Sequence, residues 1–260
     1  MTRTSASAAR PLLVATGVLA VVLAPQLVSF YVDWLWFQSV DLPQVFVTSF
    51  KAQAFWSLAG GLLGFLVAYV SHVAMVRATR GRLVTVSFQN QSVVQLEVPK
   101  HLDRLALAAP ALAAFLVGSL FAANWLKFLL QAGAAPFGSV DPVFGRDISF
   151  YVFSLPVLEI VGSGLLLALG IALLAAAALY FLKGAILLSN QGVAAERPAA
   201  VHLAVLGSLL FLVLAFNTFV SMHAVLSSTT GLVAGATYTD IHARLPAMSC
   251  RSRSPWSRRP

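Results

Sequence analysis

Five stretches of this chain run for 20 or more residues without a formally charged side chain: about 11–32, 52–76, 105–126, 160–182 and 199–226. A helix rises 1.5 Å per residue, so about 20 residues cross a hydrocarbon core of about 30 Å. Within the stretches the residues are solidly apolar. Barrel strands would read instead as segments of about 10 residues alternating in polarity. The pattern therefore predicts an all-α, multi-pass transmembrane bundle with helices at about 11–32, 54–76, 105–126, 157–182 and 199–222. Residues 1–10 are a short N-terminal segment, 227–248 a polar connector, and 249–260 a basic tail.

The gaps add detail. Tyr31, Trp34, Trp36 and Phe37 follow the first stretch, and rings at a segment end mark the headgroup level. Residues 33–51 are thus expected to be a short connection along the interface. Pro25 is expected to kink the first helix. In the gap 77–104, Val84, Val86 and Phe88 alternate with polar residues, as do Val94, Leu96 and Val98. That period of two predicts a small β-hairpin at 83–98, with its turn at 89–92. Gly60 and Gly64 form a G-x-x-x-G, the spacing that lets two helices approach closely.

Composition agrees with a lipid environment. The chain is 59% hydrophobic and 10% charged, with mean hydropathy +0.85. The net charge of +8 is not a nucleic-acid signature, because most Lys and Arg flank apolar segments as anchors beside headgroups. Residues 1–10 carry 2 Lys/Arg, 77–104 carry 5 and 183–198 carry 2, against Lys51, Lys127 and Arg146 in the other gaps. The positive-inside rule puts the richer gaps in the cytoplasm. The N-terminus is then cytoplasmic and the connector 227–248 extracytoplasmic. The first apolar run exceeds a signal-peptide core and lacks a clear cleavage site, so it is expected to remain as a membrane helix. The one cysteine, Cys250, excludes an internal disulfide and any CxxC motif.

Candidate chemistry is sparse. Asp141, Arg146, Asp147 and Tyr151 could form an outward-facing polar site for an anion or a cation; turn chemistry and a local ion pair are the ordinary explanation. Tyr238, Asp240, His242 and Arg244 alternate as if along one side of an extended strand. Asp and His two apart can serve a metal or an acid–base pair. With no third ligand nearby, a polar connector is the simpler reading. Asn124 and Asn217, in or near membrane helices, are expected to help helices pack through hydrogen bonds. His72, His202 and His223 are expected at the interface. No Asp, Glu, Lys or Arg lies in the interior of a predicted span, Glu159 standing at the very start of 157–182, which argues against an ion-coupled pump. No P-loop, H-E-x-x-H or G-x-S-x-G is present. No catalytic residue, metal site or cofactor is therefore assigned.

Three stretches carry a family resemblance. They are Asp33-Trp-Leu-Trp-Phe-Gln-Ser39, Asp141-Pro-Val-Phe-Gly-Arg-Asp-Ile-Ser-Phe-Tyr-Val-Phe-Ser-Leu-Pro156 and Gly235-Ala-Thr-Tyr-Thr-Asp-Ile-His-Ala-Arg-Leu-Pro246. Over about 33–246 the chain resembles the N-terminal part of uncharacterised protein family 0182, large bacterial membrane proteins. The resemblance implies a chain several times longer, with seven N-terminal membrane helices before a large extracytoplasmic domain. It supplies no activity and no catalytic residues. The Arg/Ser/Pro tail at 249–260 departs from the family pattern and reads as a frameshifted or truncated end. The function expected is an inner-membrane anchor or scaffold within a larger envelope protein. Its partners are the lipid bilayer and membrane or envelope proteins. The alternatives are a transport or channel component, and a membrane enzyme acting on lipid or envelope material.

Overall fold

The computed structural model describes residues 5–79, 83–87, 93–97, 101–189, 192–227 and 235–248. The predicted hairpin turn at 89–92 and the tail at 249–260 lie outside the described residues. The chain divides into two compact units, Met1–Lys51 and Ala52–Pro260.

In the first unit, α1 (Ser5–Ser39) runs unbroken through Pro25. It ends because Asp41 takes a left-handed φ of 59°. The amide of Leu42 donates to the carbonyl of Phe37 at 2.9 Å, and that of Asp41 to Gln38 at 3.1 Å. This pair of bonds is the Schellman ending, which satisfies carbonyls that the last turn would leave open. Pro43 then opens α2 (Pro43–Ala78), where its missing N–H has no helical partner to lose. The expected interfacial connection at 33–51 is corrected accordingly. It is helix apart from three residues, because turn chemistry stops α1 only at Ser39. Its rings pack on one another: Phe30 lies 5.1 Å from Phe46 and 5.4 Å from Phe50, and Trp34 lies 5.4 Å from Phe46.

In the second unit, α2 continues and crosses α4 (Ala108–Ala123) through small residues. Gly60 sits against Val117 and Phe121, Gly64 against Ala113, and Gly118 of α4 against the Ser57 carbonyl. A short α3 (His101–Leu105) precedes α4, and α5 (Trp125–Ala132) follows it. The break between α4 and α5 falls at Asn124, whose side-chain amide donates back to Leu120 O at 2.9 Å. Phe128 of α5 is buried, stacked 4.1 Å from Trp56.

A turn of π-helix at Phe150–Ser154 leads into α6 (Leu155–Leu182), and α7 (Arg197–Ala224) follows. Helix α6 is the centre of this unit, packing on both α4 and α7. Its buried face is Gly/Ala-rich: Gly162, Gly164, Ala168, Ala172 and Ala176. Small side chains let backbones approach, which is how helices gain packing energy without a hydrophobic driving force. Two antiparallel hairpins occupy the gaps. One pairs β1 (Leu83–Ser87) with β2 (Val93–Glu97), Leu83 opposite Glu97, as the alternation predicts. The other pairs β3 (Ile186–Ser189) with β4 (Gly192–Ala195).

Four helical stretches are long and apolar enough to cross a membrane among the described residues: Pro43–Ala78, Leu102–Ala123, Phe150–Leu182 and Arg197–Ser227. They contain three of the predicted spans and cover the predicted 105–126 as far as Ala123, where α4 ends. The remaining predicted span, 11–32, lies within α1.

Candidate functional site

The loop between α5 and α6 is built around two carboxylates. Oδ1 of Asp141 accepts from the amides of Val143 (2.8 Å) and Phe144 (2.7 Å). Its Oδ2 accepts from the Arg146 amide (2.9 Å) and the Tyr151 hydroxyl (2.7 Å). Asp147 accepts from the amides of Phe137, Gly138 and Ser149 at 2.8–3.1 Å. A bridge between Val140 and Asp147 closes the loop, and Gly138 and Gly145 turn it at positive φ. Asp favours such turns because its short side chain bonds backbone two or three residues on.

Electrostatics follow from the same bonds. Burial pushes Asp141 upward, but the donors at Phe144, Tyr151, Arg146 and Val143 outweigh it and hold its pKa at about 2. Hydrogen bonds from Ser149, then those from Phe137 and Gly138, hold Asp147 at about 2 as well. An ionised carboxylate offers about four acceptor positions, and Asp141 has all of them engaged. Sequence grouped Asp141, Arg146, Asp147 and Tyr151, and the structure brings these four together. Their polar atoms, though, serve the loop itself. The exposed Arg146 guanidinium lies over the Phe150 ring at 4.9 Å. The loop docks on α7 through His223, which is buried. The His223 ring stacks on Phe144 at 4.4 Å, and its Nδ1–H donates to Phe219 O at 2.9 Å. His223 stands at the end of α7, as expected, and ring stacking buries it there.

The connector 235–248 is helical, not an extended strand. Its cause is a capping box, Thr237-x-x-Asp240. The Asp240 amide donates to Thr237 Oγ1 at 3.3 Å, and Asp240 Oδ2 accepts from the Thr237 amide at 3.0 Å. Bonds from the Thr237 hydroxyl and amide hold Asp240 below the usual carboxylate range. A π-turn at Asp240–Arg244 and a last short helix, α8 (Leu245–Met248), follow. Tyr238 and His242 stack at 4.0 Å, and Arg244 sits 3.6 Å from Asp240. Helical spacing thus makes two separate i,i+4 pairs, Tyr238 with His242 and Asp240 with Arg244, rather than one alternating face. Asn217 of α7 faces Gly162 of α6, so closely that a Cβ at 162 would overlap its amide.

At the opposite ends of α2 and α6 lies a polar layer that sequence reasoning missed. Gly184, at φ 64°, ends α6 in a second Schellman turn: Ala185 donates to Tyr180 O at 2.8 Å and Gly184 to Phe181 O at 3.0 Å. This turn leaves Lys183 buried, with 3% of its side chain exposed. Its ammonium donates to Thr79 Oγ1 at the end of α2 at 2.8 Å and to Asp103 of α3. One turn deeper, His202 of α7 joins Ser71 of α2 (Nε2, 3.3 Å) and Tyr180 of α6 (Nδ1, 2.9 Å). His72 Nδ1 is buried without a hydrogen-bond partner. It lines a cavity of about 10 Å³ with Ser71 and several alanines, close to the volume one water needs. His202 is thus a cross-helix link near the start of α7. Nothing local in sequence signals these pairings, since Lys183 and Asp103 are 80 residues apart. Among the described residues no group of three or more His, Cys, Asp or Glu could hold a metal ion.

The fold and its polar clusters define a helical protein of membrane-spanning character, with no recognisable catalytic centre among the described residues. The chain belongs to the uncharacterised protein family UPF0182, whose profile matches residues 10–253. It is 32% identical over 243 residues to a UPF0182 protein of Geobacter sulfurreducens, covering 90% of this chain and 27% of the relative. A UPF0182 protein of Mycolicibacterium paratuberculosis is 34% identical over 242 residues, 91% of this chain and 24% of its own length. One from Bradyrhizobium diazoefficiens is 32% identical over 254 residues, with 93% and 27% covered. The chain thus spans about a quarter of the length of these relatives. No solved structure matches it.

Proposed function

We propose that this chain is a multi-pass helical scaffold of the bacterial plasma membrane, with its N-terminus in the cytoplasm and its 137–149 loop outside. In the longer relatives the corresponding region would anchor the remaining three quarters of the protein. The observation that carries the reading is where the loop's polar chemistry goes. The Asp141 and Asp147 carboxylates are engaged by the loop's own donors. Beneath them the helices cross through glycine and alanine. Such an arrangement favours a rigid support over turnover. Up to residue 226 the distribution of Lys and Arg is 9 to 3, which supports the orientation; Arg244 and the four Arg of 249–260 bring the outer side to 8.

A second reading, a transport component, draws support from the layer of Ser71, His72, Asp103, Tyr180, Lys183 and His202. Ionisable groups buried between helices, paired with one another, are the usual lining of an ion pathway. Two measurements decide. In a Cys250→Ser background, a cysteine placed at 139 should be labelled by an impermeant maleimide on intact cells, and one placed at 194 only after the cells are opened; the reverse pattern overturns the orientation. Proteoliposomes holding the chain should show no proton or solute flux above empty vesicles; flux lost on His202→Ala would replace the scaffold with the transport reading.

A further inference from the structure

The α1–α2 hairpin contains a groove that neither the scaffold role nor the polar clusters use. Between the two helices lies a space of about 430 Å³, walled by Phe30, Trp34, Phe46 and Phe50, with Val47 and Lys51 at its border. This falls within the 300–1,000 Å³ of small-ligand sites. The groove is unfilled although its rings contact one another, and Phe30 and Phe50 remain about half exposed. A second concavity of about 360 Å³ adjoins it and shares Val47 and Lys51. Its other lining is different in kind: Gln44 and Thr48 supply an amide and a hydroxyl. One side of Lys51 is therefore aromatic and the other can hydrogen-bond.

Charge narrows the occupant. Lys51 is the lone Lys or Arg between Arg10 and Arg77. Asp33 and Asp41 line neither concavity. Depth narrows it further. Helices α1 and α2 hold 35 and 36 residues, or over 50 Å each, against a core of about 30 Å. The tip of the hairpin, with Tyr31, Trp34 and Trp36, thus has the length and composition to stand at headgroup level.

We infer that the hairpin binds an anionic glycerophospholipid. An acyl chain lies on the Phe30–Phe46–Phe50 wall, and the phosphate is held by Lys51 with Gln44 and Thr48. An amphiphile is the ligand that matches an aromatic trough meeting a polar one at a single cation. A lysine at the membrane surface contributes about 1 kcal/mol toward an anionic lipid, which is about a fivefold preference.

The test is lipid retention. The purified chain is placed in nanodiscs of equal phosphatidylglycerol and phosphatidylcholine, released into detergent, and weighed by native mass spectrometry. Phosphatidylglycerol should be retained at least fivefold over phosphatidylcholine. Lys51→Gln should abolish that preference without shifting the melting temperature. Phe46→Ala should lower retention of both lipids, and Val205→Ala on α7 should change neither. Equal retention of the two lipids, or an unchanged preference in Lys51→Gln, overturns the inference. If Phe46→Ala does not fold, Phe50→Ser at the exposed edge of the same wall serves in its place.

Discussion

Substituting Gly64 by alanine tests the α2–α4 crossing directly. The added Cβ would sit 2.5 Å from Ala113 O and 3.0 Å from the Val117 side chain. The first of these atoms is backbone and cannot rotate away. Ordinary contact begins near 3.4 Å, so the helices must part by about 0.9 Å. Forcing a methyl into a packed site costs about 1–3 kcal/mol. The same substitution raises helix propensity by about 0.8–1.0 kcal/mol, and that gain is realised alone where space is open. Gly170 and Gly207 are such positions, with nothing within 4 Å of an added methyl. Gly64→Ala should therefore unfold at least 1 kcal/mol more easily than Gly170→Ala, although the chemistry is identical. Unfolding in mixed micelles, followed by circular dichroism against the mole fraction of denaturing detergent, measures the difference. Gly118→Ala, 2.8 Å from Ser57 O, should behave like Gly64→Ala. If all of these variants match within about 0.3 kcal/mol, the crossing is not held by close backbone approach.

Three further outcomes are expected. Asp141 has a folded pKa of about 2 against about 3.9 in an unfolded chain. Its contribution is therefore complete above about pH 4 and lost as pH falls through 2; NMR shifts of the Val143 and Phe144 amides should follow that titration and vanish in Asp141→Ala. Lys183→Met leaves Asp103 and Thr79 without the ammonium and should cost about 2–3 kcal/mol, whereas adding Asp103→Asn should restore much of it, because half a buried pair is worse than none; a double-mutant cycle by thermal melting reads this. Thr237→Val removes the hydroxyl half of the capping box, keeping the backbone amide's bond to Asp240, and should cost the 237–248 turn about 1 kcal/mol, seen as faster amide exchange there with α6 unchanged.

Sequence reading succeeded where one residue pattern had one structural meaning. Solid apolar runs could only be helices, and the alternation over 83–98 gave the first hairpin. It failed where short-range bonding decided the outcome. The turn at 40–42 rests on one left-handed Asp41, and the helical connector on a Thr–Asp pair whose alternation suggested a strand. The second hairpin, in the gap 183–198, was not foreseen because Ile186–Ser189 and Gly192–Ala195 show no alternation of apolar and polar residues. The outer loop was legible as a cluster because its members are close in sequence. The Lys183–Asp103–Thr79 group was not, since three helix ends must meet before it exists.

The pairing across 80 residues also sets an order of events. Chains are synthesised from the N-terminus, so Thr79 and Asp103 are already in place when Lys183 emerges at the end of α6. Until it reaches them, an ammonium sits at a helix end with only water or headgroups to solvate it. Once it does, the end of α6 can be held against two earlier elements while α7 is still leaving the ribosome. The contact thus serves as a latch in biogenesis, whatever it contributes to the finished protein. A ribosome stalled near the end of α7, so that Lys183 has cleared its exit tunnel, should already protect a cysteine at 79 from labelling, and Lys183→Met should expose it.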